Sequence, residues 1–364
     1  MKEQGSIRRI LLTCAAAVLT MTLEPTAAQG TALAADAART LLEGKFIAAA
    51  APEAAESLPA ENETAEQNEP GAWPALDGEG YLPEGEFVYE GAEEGLWRYA
   101  SPTLKIEIRR MTQTKPVKLI WYEAEVWSRE EVFHFITNEP GKHFSSAAWP
   151  PAVASKNGAV LAFNGDYASY RWNNIHYPKQ RQKVGILLRD GEIKSSWTKK
   201  SGGTSFPNLD TMAIYPDGLM EVHDSQELTA EEYLAKGAVD VLSFGPWMIR
   251  DGEIRNNLKK FAHTRAPRTC LGMIEPGHYI VLMAEGRRKV SLGATLDELA
   301  ELLREKGCTT AFNMDGGETA CILFMGKQLC VVGGSHSNKG YARKEPEFLA
   351  IGTSALVEGY EGQP

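Results

Sequence analysis

Short runs of β-branched, aromatic and other apolar residues recur from Leu104 to Ile351, and they constrain the fold more than any other feature. They are Leu104–Arg109, Lys118–Val126, Ala159–Phe163, Val184–Leu188, Thr211–Tyr215, Val239–Phe244, Thr269–Ile274, Tyr279–Ala284, Thr309–Met314, Ile322–Phe324 and Phe348–Ile351. Segments of this length and composition read as strands. Asp190-Gly191, Asp217-Gly218 and Asp251-Gly252 stand between strand-like runs as tight-turn signals. Helix patterns are scarcer. Thr295 and Glu298 form a capping box, Leu296, Leu299, Ala300 and Leu303 supply one apolar face, and Gly307 stops the segment after Lys306. A shorter helix, Ala230–Lys236, follows Thr229 and stops at Gly237. Strands in a majority with few helices predict an α+β class: one mixed, strand-rich domain with helices packed on the sheet. No internal repeat is visible. The folded domain is expected over residues 80–357, with 358–364 as a tail.

Charge narrows the function. The net charge of −10 is uneven: between Phe46 and Trp97 there are 13 acidic residues and no Lys or Arg. The remainder holds 38 bases against 35 acids, so no basic face for nucleic acid is expected. Residues 35–79, rich in Ala, Glu and Pro, read as a disordered linker, because few large apolar groups offset the entropy of ordering. Asn62-Glu63-Thr64 is a glycosylation sequon within it. Arg8 and Arg9 precede an apolar run, Ile10 to Leu23, followed by Ala32-Leu33-Ala34 and Thr26-Ala27-Ala28 as alternative cleavage sites. Residues 1–34 thus read as a signal peptide or an N-terminal anchor, which would tether the chain to a membrane through that segment alone. An extracellular or cell-envelope location is expected. The faint lipobox at Cys14 has its apolar run on the wrong side. Cys270, Cys308, Cys321 and Cys330 permit two disulfides in three connectivities, or four buried thiols.

Polar residues cluster where apolar runs stop. Thr309–Met314 ends in Asn313-Met-Asp315, then Gly316, Gly317, Glu318 and Thr319. A strand that ends in a tight turn holds side chains rigidly beside open space, and paired glycines allow an approach that a Cβ forbids. An ordinary Asp-Gly hairpin turn would look the same. Ala159–Phe163 runs likewise into Asn164, Gly165, Asp166 and Tyr167, and Gly245-Pro246 bends an apolar stretch. Arg268 enters the strand that contains Thr269. Trp172, Tyr167 and Tyr170 could stack on a sugar, His176 and His263 have no identifiable partner, and Lys179–Lys183 reads as a solvated loop.

Together, Asn164-Gly-Asp-Tyr, Ser243-Phe-Gly-Pro, Pro267-Arg-Thr-x-x-Gly272, Asn313-x-Asp-Gly-Gly-x-Thr319 and a late Arg343 resemble, in order, the motifs of the phosphodiester glycosidase family. This family includes the lysosomal uncovering enzyme, which removes N-acetylglucosamine from mannose-6-phosphate diesters, and bacterial exopolysaccharide-associated relatives. The resemblance spans roughly residues 98–357. It implies an exported hydrolase that cleaves the C1–O bond of a sugar-1-phosphodiester, such as an α-N-acetylglucosamine-1-phosphodiester, in envelope or extracellular glycopolymers. Carried onto this chain, the pocket would use Asn164, Gly165, Asp166, Arg268, Thr269, Asn313, Asp315, Gly316, Gly317, Thr319 and Arg343. Glu318 stands where the family usually has a small residue, and it adds charge beside that pocket.

Cleavage of C1–O–P passes through an oxocarbenium-like state, which a carboxylate favours. The leaving phosphate monoester has its second ionisation near pH ~6, so it needs charge stabilisation more than a proton. Arginine provides that permanently. Arg268 and Arg343 are therefore expected on the phosphoryl group, Asp315 at the anomeric carbon and Asp166 as the second carboxylate. Asn164, Asn313 and Thr319 are expected to bind sugar or phosphate. No cofactor is required; Ca²⁺ or Mg²⁺ on the Asp, Glu and Asn oxygens stays open. Two alternatives also stay open: a glycosidase or transglycosylase acting on phosphate-free polysaccharide, and a non-catalytic glycan-binding module.

Overall fold

The computed structural model describes residues 70–166, 184–197, 209–334 and 340–362. All belong to the unit Asn62–Pro364. The signal segment, the sequon, Cys14, Tyr167, Tyr170, Trp172, His176 and Lys179–Lys183 lie outside the described residues.

Antiparallel pairing builds three sheets. β1 (Phe87–Gly91), β2 (Leu96–Ala100), β3 (Leu104–Gln113) and β4 (Leu119–Ser128) form a meander. It continues through β15 (His278–Ala284), β14 (Arg268–Glu275), β16 (Thr310–Asn313), β12 (Trp247–Arg250) and β13 (Glu253–Ile254) as a nine-stranded sheet. A second sheet has the order β10 (Met220–His223), β9 (Asp210–Ile214), β11 (Asp240–Phe244), β7 (Gly185–Arg189), β8 (Glu192–Trp197). The third runs β18 (Lys327–Gln328), β17 (Ile322–Phe324), β6 (Ala159–Asn164), β19 (Glu347–Thr353), β5 (His134–Thr137). The α+β, strand-rich architecture expected from the sequence is the one observed.

Side-chain alternation explains the layering. In β3, Leu104, Ile106 and Ile108 are buried while Lys105 and Glu107 between them are half-exposed. Those residues join Leu161, Phe163, Leu349 and Ile351 in the main core, so the large sheet packs on the sheet around β6. β14 serves two cores: Leu271 and Met273 face the main one, while Cys270 on the opposite face packs with α3 (Leu296–Glu305). That helix buries Leu296, Leu299, Ala300 and Leu303 and begins in the Thr295–Glu298 capping box. α2 (Ala230–Ala235) starts in a second box, Thr229–Glu232, and packs Tyr233 against Ile186 and Val241. Gly272 has no room for a side chain: a Cβ there would stand 2.6 Å from Cys308 Sγ.

Two features differ from the sequence reading. α1 (Pro150–Lys156), not among the helices expected from the sequence, opens on Pro150-Pro151; proline is tolerated in a first turn, where its missing N–H has no helical partner anyway. Residues 70–79, assigned to the linker, join the folded body. The Trp73 ring lies 6.0 Å from Phe87 with Arg98 4.9 Å above it, and Asp77 accepts the Tyr81 N–H at 2.9 Å. A single Trp with partners outweighs the composition around it. The four described cysteines are free and buried. Burial pushes the Cys270, Cys308 and Cys330 thiols up to about 12, which makes them apolar filling.

Candidate active site

The exits of β6 and β16 meet the start of β14. Cys270 pairs with Asn313 in the large sheet, and Asn164 pairs with Phe348 in the third. One link between the sheets is the Asp315 N–H, which donates to the Gly165 carbonyl at 3.3 Å. The turns that carry Asp166 and Asp315 are therefore brought together from two different sheets.

Several residues expected to touch substrate help hold this junction together. Asn164 is fully buried: its amide donates to the Asp315 carbonyl at 2.7 Å, and its oxygen accepts from Thr269 Oγ1 (2.6 Å) and the Cys321 N–H (3.0 Å). Asn313 donates to the Gly245 carbonyl at 2.8 Å. Asn164, Thr269 and Asn313, expected to bind sugar or phosphate, thus have polar groups engaged inside the protein. Thr319 is also fully buried, and its Oγ1 has no hydrogen-bond partner.

Asp315 is held at both oxygens. Oδ1 accepts the Gly316 N–H at 2.8 Å, and Oδ2 lies 3.3 Å from Arg343 Nη2. Arg343 is thus bound to the carboxylate, where an anion contact was expected. The two glycines admit two other guanidiniums. A Cβ on Gly316 would fall 2.8 Å from the Pro267 carbonyl, with Arg268 Nη1 next nearest at 3.8 Å. At Gly317, φ is +69° and a Cβ would stand 3.1 Å from Arg287 Nη2. Arg287, on the loop after β15, was missed by sequence reading because Gly286-Arg-Arg-Lys289 looks like a solvated basic run. Arg288 is indeed neutralised, by Glu285. Among the described residues no carboxylate pairs with Arg268 or Arg287. Burial holds Arg268 below its ordinary pKa, and Arg287 adds to that effect, but a guanidinium stays charged. Arg268 Nε is buried without an acceptor. Two unneutralised cations at one turn make a place for an anion. A cleft of about 200 Å³ opens beside Arg268, lined also by Gly245, Pro246, Phe244 and Phe261.

Asp166 belongs to a buried network. Its Oδ2 accepts the Ser243 N–H at 3.2 Å and lies 3.6 Å from Arg189 Nη2. Arg189, with no exposure, also bonds Glu347 at 3.0 Å and the carbonyls of Leu188 and Val241 at 2.7 Å each. His143 bridges Glu347 (2.7 Å) and Asp190 (2.9 Å). The only sequence signal for Arg189 was a cation ending an otherwise apolar strand, which normally marks a solvated edge. Glu318 is half-buried with its side chain against Gly334, and its carbonyl accepts the Arg343 N–H at 3.0 Å. His263 is exposed. Among the described residues there is no cluster of three metal-ligating side chains.

Residues 157–351, more than half of the chain, match the phosphodiester glycosidase family. Among curated proteins, the SPbeta prophage-derived uncharacterized protein YomE of Bacillus subtilis is 24% identical over 181 residues. That match covers 49% of this chain and 26% of the relative. Mouse N-acetylglucosamine-1-phosphodiester alpha-N-acetylglucosaminidase is 31% identical over 160 residues, 39% of this chain and 29% of the relative. The matched stretches thus span under a third of either relative. The solved zebrafish N-acetylglucosamine-1-phosphodiester alpha-N-acetylglucosaminidase catalytic domain, auto-inhibited by its pro-peptide, shares the fold at a TM-score of 0.51 and 20% identity. That alignment covers 69% of this chain and 84% of the zebrafish one.

Proposed function

From the premise that the chain belongs to the phosphodiester glycosidase family, we propose that it hydrolyses the C1–O bond of a sugar-1-phosphodiester. The observation that carries this reading is the pair Arg268 and Arg287 flanking the Gly316-Gly317 turn, one residue from Asp315. A carboxylate beside an anion site is what the reaction asks for: negative charge near the anomeric carbon, and fixed positive charge on the departing phosphate. Asp315 takes the proton of the water that attacks C1. Arg268 and Arg287 receive the phosphoryl oxygens, and Arg343 keeps Asp315 oriented and ionised until then. Asp166, backed by Arg189, adds a fixed negative charge and helps seat the sugar. Glu318, at the edge of the turn, tunes substrate preference. No metal enters this scheme. The substrate belongs to envelope or extracellular glycopolymers, reached by an exported chain whose N-terminal segment serves as signal or tether.

The test is hydrolysis of a synthetic α-N-acetylglucosamine-1-(methyl phosphate) in water enriched in heavy oxygen. Label in the sugar is expected. Label in the phosphate would mean P–O cleavage and would overturn the proposed chemistry. Turnover of phosphate-free glycosides in preference to the phosphodiester would favour an ordinary glycosidase, and binding without any turnover a glycan-binding module.

A further inference from the structure

Arg343, Glu345 and Glu347 alternate along the segment that enters β19, and the first and last of them reach or back the two aspartates. Arg343 reaches Asp315, and Glu347 holds Arg189 behind Asp166. Glu345 sits between them. Its backbone is pinned by reciprocal hydrogen bonds with Ala148, at 3.0 and 3.1 Å. Its side chain is 1% exposed, and Oε1 has no hydrogen-bond partner. The buried Thr319 hydroxyl lies beside it.

The surroundings oppose a charge on Glu345. Burial comes first, then Asp315, with Asp166 adding to it; Arg343 and the Thr319 hydroxyl oppose them, and the Glu345 carboxyl is held well above its ordinary range. Thr319 and the Cys321 thiol complete the shell, with Arg189 and Glu347 behind Asp166. Ionised Glu345 would be one more carboxylate competing for Arg343, which Asp315 already occupies.

We propose that Glu345 is a neutral carboxylic acid at the operating pH, so that Asp315 alone of the two carboxyls is ionised when substrate arrives. This deepens, and rests on, the hydrolytic reading above. In the reaction the water oxygen bonds to C1 and the C1–O–P bond breaks with its electron pair on the phosphate oxygen. The water's proton passes to Asp315. The pair then holds two protons and returns one to solvent or to the departing phosphate. Glu345 makes no bond to the sugar; it is a positioning residue. Once Glu345 ionises at alkaline pH, two anions compete for Arg343 and activity falls.

Difference infrared spectroscopy on the full chain reads protonated carboxyls without any need for turnover. Wild type is expected to show a carboxylic-acid carbonyl band at neutral pH that Glu345→Gln removes and alkaline pH titrates away. The alkaline limb of kcat/KM on α-N-acetylglucosamine-1-(methyl phosphate) should follow that band. Glu345→Gln should lose the limb. Spectra identical in wild type and Glu345→Gln, or an unchanged alkaline limb, would overturn the proposal. Should Glu345→Gln fail to fold, Asp315→Asn replaces it: loss of the neighbouring anion should move the band's disappearance to lower pH, and an unmoved band is equally fatal. A band that behaves as expected in a protein with no turnover of the phosphodiester would sink the hydrolase reading while the neutral acid stood.

Discussion

Asp166 and Asp315 follow strands of two different sheets, each beside an arginine, yet the two pairs are built in opposite ways. Arg189 has no exposure, spends its donors on Glu347 and two carbonyls, and lies 3.6 Å over the Phe135 ring. Arg343 is 41% exposed, meets Asp315 at 3.3 Å and keeps its Nε without a partner. The same residue types thus serve two ends. The buried arginine cannot change partners without leaving Glu347 and Asp166 uncompensated, so that pair fixes shape and field. The half-exposed one can trade contacts as an anion arrives, so chemistry belongs on its side.

The comparison is most directly broken by substitution. Asp315→Asn should cut turnover of the phosphodiester by about 10²–10⁴-fold with little change in thermal midpoint. A variant with ordinary activity would move the chemistry elsewhere. Arg189→Met should lower stability by about 3–5 kcal/mol, measured by urea denaturation, because it strands buried carboxylates. Arg343→Met should cost about 0–1 kcal/mol, as exposed ion pairs do, while lowering activity. Equal destabilisation by the two would erase the distinction between them. Smaller again are Arg268→Gln and Arg287→Gln, each expected to raise KM for the phosphodiester by about tenfold. Neither should alter the handling of a phosphate-free aryl glycoside, and a parallel loss on both substrates would argue against an anion site.

Much of this was legible in residue patterns. The Thr295–Glu298 box, the turns after Arg189 and Arg250, and the runs that became β3, β4, β14 and β15 all follow local rules, so local reading found them. The Asn-x-Asp-Gly-Gly turn and Asn164-Gly-Asp were visible as polar residues at strand exits. Which of those residues face a ligand was not visible. Asn164 and Asn313 look like ligand-binding amides until the chain folds and their partners prove to be Thr269, Cys321 and Gly245, more than 60 residues away in each case. Arg287 and Arg189 were missed for complementary reasons: a basic run resembles a solvated loop, and a strand-terminal arginine resembles a solvated edge. In both cases the decision lies in sheet-to-sheet packing, which leaves no periodic mark on the sequence.

Acidity offers the mildest way to sharpen the comparison, since the buried pair carries titrating neighbours. Burial alone would lower the His143 pKa, but the hydrogen bond to Glu347 at 2.7 Å and the Asp190 contact outweigh it and raise it above 6.5. A folded pKa above the unfolded one means that protonated His143 contributes stability fully below about 6.5. That contribution is lost as pH rises through the folded value. Asp240, pushed from 3.8 to about 6 by burial against the pull of Arg189, acts earlier. The folded chain keeps its proton where the unfolded chain has lost it, so stability falls as pH climbs from about 4 to about 6. Thermal midpoints of wild type, Asp240→Asn and His143→Gln, stepped from mildly acid to alkaline pH, should separate the two windows. Asp240→Asn should flatten the acid-side slope and His143→Gln the slope above it, while Asp315→Asn leaves both in place. If Asp315→Asn instead removed either slope, the titrating load would sit on the open pair, and the division between a fixed side and a reactive side would be wrong.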